Sequence, residues 1–299
     1  MFSLSALQER RLQAYIELSR FDKPVGAWLV LFPALWGLTL AHQGMPPLPD
    51  ILLFTVGAFL IRGAGCTIND LLDRNLDPYV ERTKNRPLAR GALTIGEGIA
   101  YFIGQLTAAS ILLFFMPVEV FYLALGAVAL MFFYPLLKRV TYWPQLFLGL
   151  CMNYSMLMAY AYVTKGLDFS SDVLVLYVGS VFWTLAYDTI YAHQDRKDDI
   201  KVGIKSSALS IFGESKFFLA LCYSLFLAAL AFSIVQRKDL SLLHLGFLTG
   251  LLTFPAILLF YQLVLTDFHT PKKCLQAFKL NQGVGLVVLV VLLIVFRGA

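Results

Sequence analysis

The chain has 299 residues, 59% of them hydrophobic and 14% charged, and a mean hydropathy of +0.72 that excludes an ordinary soluble globular domain. The net charge of +5 is accounted for by basic loops beside a membrane, so no nucleic acid is needed to explain it. Cys66, Cys151, Cys222 and Cys274 are scattered and suggest neither disulfides nor a thiolate metal site.

Residues 1–20 mix Arg10 and Arg11 with Glu9 and Glu17 and hold no apolar core of signal-peptide length. They read as a short cytoplasmic segment, neither a secretory signal nor an acidic-poor transit peptide. Mostly apolar stretches of about 17 to 25 residues, long enough to cross a bilayer, then recur. They lie near 25–41, 51–68, 98–115, 118–137, 146–163, 173–193, 217–235, 242–265 and 278–296. They lack the alternation of barrel strands, and only short polar stretches separate them. The expectation is an all-α polytopic bundle of nine transmembrane helices around a central cavity, forming one integral-membrane domain over 1–299.

Two spans close on acid. The second runs into Asn69-Asp70-Leu71-Leu72-Asp73-Arg74-Asn75-Leu76-Asp77, and the sixth into Asp188, Asp195, Asp198 and Asp199, which together hold seven of the thirteen aspartates. Carboxylates cost roughly 2.5 to 3.5 kcal/mol each toward a bilayer centre, so those at its edge mark ion or substrate sites. Lys and Arg number 19 in the amino terminus and the loops after spans two, four, six and eight. Four (Lys165, Arg237, Lys238, Arg297) lie on the opposite side, with Arg62 inside a span. The positive-inside rule therefore places the amino terminus and both acidic clusters on the cytoplasmic side.

If each cluster stays helical, Asn69, Asp73 and Asp77 fall within about 80° of one another, and Asp188, Asp195 and Asp199 within about 40°. Stacked carboxylates repel, so such stripes need a cation or must hold protons. Oxygen donors without His or Cys pairs favour Mg²⁺ or Mn²⁺ over zinc. Mg²⁺ commonly shares its shell with phosphate oxygens, which points to a diphosphate ligand.

Arg74, Arg82, Lys84 and Arg86 follow the first cluster, and Arg196, Lys197, Lys201 and Lys205 the second, where Arg suits bidentate phosphate recognition. The pairs Asp70/Asp77 and Asp188/Asp195 share a spacing of seven and are related by an offset of 118, weak support for two facing half-sites. Span four ends in Tyr134-Pro135-Leu136-Leu137-Lys138-Arg139, a third loop suited to an anion. Gln105, Gln145 and Asn153 read as interhelical hydrogen-bonding residues. Aromatic runs such as Phe114-Phe115 and Phe132-Phe133 read as packing or lipid-facing surface, able also to line a channel for an apolar chain. Nucleotide-binding loops, zinc-protease pairs and serine-hydrolase elbows are not evident.

These residues resemble the UbiA-type membrane prenyltransferases. Asn69-Asp70-x-x-Asp73-x-x-x-Asp77 is similar to the first signature of that family and Asp195-x-x-x-Asp199 to the second, with Tyr134-x-x-x-Lys138 a further pattern. Arg62-Gly63-Ala64-Gly65-Cys66, Arg86-Pro87-Leu88, Trp143-Pro144-Gln145 and Tyr187-Asp188-Thr189-Ile190-Tyr191-Ala192 resemble the branch acting on 4-hydroxybenzoate.

The resemblance implies transfer of a polyprenyl group from polyprenyl diphosphate to the ring carbon ortho to the hydroxyl of 4-hydroxybenzoate, in ubiquinone biosynthesis. It implies Mg²⁺ and diphosphate at Asn69, Asp73, Asp77, Asp195 and Asp199, with Asp70 close by and Asp198 a flank. Arg62, Arg74, Tyr134 and Lys138 would bind diphosphate, and Arg139 and Asp188 the aromatic acid. A naphthoate, homogentisate or porphyrin acceptor is the neighbouring alternative, and a cation-coupled transporter the alternative from another class. A bacterial inner membrane is the expected location, with the mitochondrial inner membrane second.

Overall fold

The computed structural model describes residues 6–237 and 242–296. Residues 1–5 of the amino-terminal segment, and Lys238 and Arg297 of the charge count, lie outside the described residues. Among those described, all regular structure is helical: α1 (Ala6–Leu18), α2 (Val25–His42), α3 (Leu48–Asp73), α4 (Ile95–Leu113), α5 (Val118–Leu137), α6 (Pro144–Thr164), α7 (Ser171–Ala192), α8 (Arg196–Val202), α9 (Ser207–Ser210), α10 (Ser215–Arg237), α11 (Leu242–Leu265), α12 (Pro271–Lys279) and α13 (Asn281–Phe296).

Nine of the expected spans are present as helices long and apolar enough to cross a bilayer, among the described residues. The ninth is α12 followed by α13, interrupted at Leu280. The chain is a multi-pass helical membrane protein. Proline sets several starts: Pro47, Pro117 and Pro144 stand at or just before the first turns of α3, α5 and α6, where a missing backbone N–H costs nothing. Thr94 and Glu97 form a reciprocal capping box at the start of α4.

The helices pack in a closed succession in which α2 meets α3, α6 and α13, α6 meets α5 and α7, and α7 meets α10, while α11 joins α10 to α13. Trp36 of α2, Trp183 of α7 and Phe226 of α10 stack at the heart of the bundle, with centroids 5.3 to 6.0 Å apart. Both indole N–H groups are satisfied, Trp36 by the Gly285 carbonyl at 3.2 Å and Trp183 by the Asn281 side chain at 2.8 Å. Gly37 lets α2 and α6 approach closely, since a Cβ there would lie 2.4 Å from the Met156 carbonyl oxygen.

The three amides read as interhelical do cross between segments. Asn153 of α6 donates to the Ser180 carbonyl and Thr184 of α7, Gln105 of α4 accepts from Thr67 of α3, and Gln145 accepts from the Ser207 backbone. Phe114, Phe115 and Phe133 face outward, largely exposed, as lipid-facing aromatics would.

Candidate active site

The second span extends past its apolar run, so that Asp70 and Asp73 sit in the last turn of α3, each 1% exposed. The stripe expected on one continuous helix does not form. Pro78 has no N–H to give the Arg74 carbonyl and its ring crowds that carbonyl; the chain leaves α3 at Asp73, and Asp77 opens a separate 3₁₀ turn, Asp77–Tyr79. The second cluster breaks likewise: α7 stops at Ala192, Asp195 stands just before α8 without a side-chain capping bond, and Asp198 and Asp199 occupy its first turn. Acids there meet the positive end of a new helix dipole instead of stacking against Asp188.

Tertiary pairing replaces the stripes. Arg86 Nη1 bonds both oxygens of Asp77 at 3.0 and 2.9 Å and reaches Asp70 at 3.0 Å. Lys138 at the end of α5 donates to Asp73. Arg82 grips Asp195 through Nε at 2.8 and 2.9 Å and donates to the Tyr191 hydroxyl at 2.9 Å. The Glu81 backbone N–H donates to Asp198 at 3.1 Å. The Lys205 backbone N–H donates to the Lys138 carbonyl at 2.8 Å, fastening the segment after α8 to the third loop. Both acidic segments and all three basic loops therefore meet at one end of the bundle, at helix termini.

The electrostatics follow from this crowding. Burial raises the Asp77 carboxyl above its ordinary range, against the pull of Arg86. Burial, with Asp195 adding, pushes Asp199 up to about 7, leaving it divided between protonated and charged forms near neutrality. Asp198, by contrast, is held low by the Glu81 N–H and by Lys201. Among the described residues no group of three or more His, Cys, Asp or Glu side chains is placed to hold a metal, the carboxylates being taken up by guanidinium and ammonium groups.

Deeper in the bundle, Arg62 of α3 lies within electrostatic reach of Cys66, Tyr134, Tyr187 and Asp188. Its Nε and the Tyr187 hydroxyl are buried without a hydrogen-bond partner. Gly26 of α2 makes room for it, because a Cβ there would stand 2.3 Å from Arg62 Nε.

Of the expected site residues, Asp70, Asp73, Asp77, Asp195, Asp199 and Lys138 come together, and Arg62 lies deeper, within electrostatic reach of Tyr134 and Asp188. Asn69 is half-buried one turn before Asp73. Arg74 is exposed and turns back to the Leu71 carbonyl of its own helix at 2.8 Å. Arg139 donates to the Leu72 carbonyl at 3.0 Å and approaches Asp73 at 3.9 Å. Arg20 joins the acids, bonding both oxygens of Asp70 at 2.9 and 2.8 Å. Sequence reasoning counted it only as a topology charge, and no local pattern marks its partner 50 residues on.

Two segments rich in Asp, drawn together with Arg and Lys at one end of an apolar helical bundle, define a multi-pass membrane protein with a charged site at its helix termini. The profile of the UbiA prenyltransferase family matches residues 30–283, and the chain belongs to that family. It is similar, at 39% identity over 96% of its length and 97% of the relative's, to the 4-hydroxybenzoate octaprenyltransferase of Acinetobacter baylyi. In fold it is similar to a UbiA homolog from Aeropyrum pernix K1, with a TM-score of 0.75 at 20% identity over 90% of this chain and 97% of that one. It is also similar to a UbiA homolog from Archaeoglobus fulgidus bound to GPP and Mg²⁺, with a TM-score of 0.67 at 19% identity over 95% and 99%.

Proposed function

We propose that the chain transfers a polyprenyl group from polyprenyl diphosphate to the ring carbon ortho to the hydroxyl of 4-hydroxybenzoate, releasing diphosphate, as a step in ubiquinone biosynthesis. The observation that carries this reading is the meeting of Asp73, Asp77, Asp195 and Asp199 with Arg82, Arg86 and Lys138 at one end of the bundle. The near-full-length likeness to the Acinetobacter enzyme supports the choice of acceptor.

The donors suit Mg²⁺. They are carboxylate and amide oxygens, and Asp73 Oδ1 is buried with no hydrogen-bond partner. Asn69, Asp73, Asp77, Asp195 and Asp199 would hold the ion, with diphosphate oxygens completing its shell. When bound, Mg²⁺ supplies positive charge where the departing diphosphate gathers negative charge.

The chain's own residues do the rest. Lys138, Arg82 and Arg86, which pair with the carboxylates, would be the diphosphate's hydrogen-bond donors. Asp188 and Arg62 would orient the aromatic acid beside Tyr134, and Asp188 would take the ring proton. An apolar surrounding would keep water from the allylic centre. Arg74 and Arg139 would serve as outer anion contacts. The site faces the cytoplasm in a bacterial inner membrane, and the whole chain acts as one domain.

The test is mass spectrometry of products after purified protein, Mg²⁺, a polyprenyl diphosphate and 4-hydroxybenzoate are incubated together. A prenylated acid is expected from the wild type and none from Asp73→Ala or Asp195→Ala. Normal turnover in both variants would sink the site assignment.

A further inference from the structure

Arg20 ends α1 with a backbone that its residue type disfavours. Its φ of 60° lies in the left-handed region, and the N–H of Phe21 bonds the Ile16 carbonyl at 3.0 Å, a Schellman closure whose left-handed position is usually glycine. The side chain is used in two directions. Nη1 donates to the carbonyls of Glu17 and Leu18 at 2.5 and 3.4 Å, and Nη2 donates to both oxygens of Asp70 at 2.9 and 2.8 Å. The segment is braced on α4 by the Ser19 and Tyr101 hydroxyls, 2.7 Å apart, and by Gln105, which donates to Ser19 at 3.1 Å.

Asp70 thus has two guanidinium partners, Arg20 and Arg86, while Arg86 is shared between Asp70 and Asp77. A buried carboxylate does not release its last cation without a large penalty. Resting on the proposed reaction, we infer that Arg20 is a positioning residue: it neutralises Asp70 so that Arg86 is free to leave that carboxylate for the diphosphate. Without Arg20, Arg86 becomes the only guanidinium left to Asp70 among the described residues and is withheld from the substrate.

Binding of inorganic diphosphate in Mg²⁺ to the purified full chain, by isothermal titration, tests this apart from catalysis. Arg20→Met is expected to weaken binding by about tenfold, and in turnover to raise KM for the donor more than it lowers kcat. In an Asp70→Asn background the same substitution should shift binding by less than about twofold, because the charge that captures Arg86 is gone. Unchanged binding in Arg20→Met, or equal weakening in both backgrounds, overturns the inference in favour of a structural clasp. If Arg20→Met does not fold, Arg20→Lys with and without Asp70→Asn makes the same comparison, and equal weakening again overturns it. A wild type that binds diphosphate yet prenylates no 4-hydroxybenzoate would sink the acceptor reading and leave the Arg20 comparison standing. A wild type that binds no diphosphate sinks both.

Discussion

Arg82, in the loop after α3, and Asp195, at the amino end of α8, face each other across 113 residues, with Arg82 Nε 2.8 and 2.9 Å from the two carboxylate oxygens. The pair joins the two acidic segments, and the Tyr191 ring lies 4.8 Å beneath the same guanidinium. One residue before Arg82, the Glu81 N–H holds Asp198, so the loop is pinned to both ends of α8's first turn. The contact ties the two acidic segments together and holds the Arg82 guanidinium where the proposed reaction would use it.

Arg82→Ala is therefore expected to cut kcat/KM for the donor by about 10- to 100-fold, through KM more than kcat. The pair is partly exposed, so unfolding stability should fall by less than about 1 kcal/mol. Arg82→Lys should recover little, since a point charge cannot repeat the two-pronged grip. Steady-state kinetics alongside thermal unfolding in detergent separates the two effects.

Gly26→Ala tests the placement of Arg62 from a distance. A methyl group there would occupy the space of Arg62 Nε, so the guanidinium must move away from α2 and its present placement relative to Tyr134 and Asp188 is lost. The prediction is a fall in kcat of about 10-fold or more with a stability loss of about 1 kcal/mol, as overpacking typically costs. Full activity in Gly26→Ala would show that the position of Arg62 does not matter to the reaction.

What could be read in the sequence, and what could not, divides along a physical line. The spans were legible because bilayer thickness sets run length, and α3 and α7 differ from the expected spans only by turns at their ends. The acids were legible because charge is anomalous in so apolar a chain. Their expected stripes failed because helical periodicity cannot see where a helix stops, and here Pro78 and the new start at α8 stopped them. Arg20, Arg82 and Arg86 found their partners through tertiary contact, which no spacing along the chain encodes. Arg74, beside the motif in sequence, caps its own helix instead.

Asn153 should matter for stability and not for substrate. Fully buried in α6, its amide donates to the Gly149 carbonyl at 2.8 Å and bridges to α7 through the Ser180 carbonyl at 3.1 Å and the Thr184 hydroxyl at 2.8 Å. Asn153→Leu keeps much of the volume but removes the bridge between α6 and α7, while the Gly149 and Ser180 carbonyls keep their bonds within their own helices. The expected cost is about 1 kcal/mol, in the range of interhelical hydrogen bonds in membranes, with KM for both substrates unchanged.

His193, at the carboxyl end of α7, gives the protein an acid limit. It is 4% exposed, its Nε2 lies 3.2 Å from the Ser215 hydroxyl, and its ring packs against Phe268 at 4.4 Å. Burial, with Arg196 and His269 adding, pushes the imidazole down to about 4. A folded-state value below the ordinary 6.5 means that the unfolded chain takes up the proton first. The neutral ring's contribution is thus complete above pH 6.5 and is lost as the pH falls toward 4, by roughly 3 kcal/mol over that window. Asp199, raised to about 7, pulls the other way over the same window, so the measurement is a difference: in thermal unfolding in detergent between pH 6.5 and 4, the wild-type midpoint should fall relative to that of His193→Gln. In His193→Gln, which cannot take up a proton, that part of the slope should disappear; an identical slope in the variant would assign the acid sensitivity to other groups.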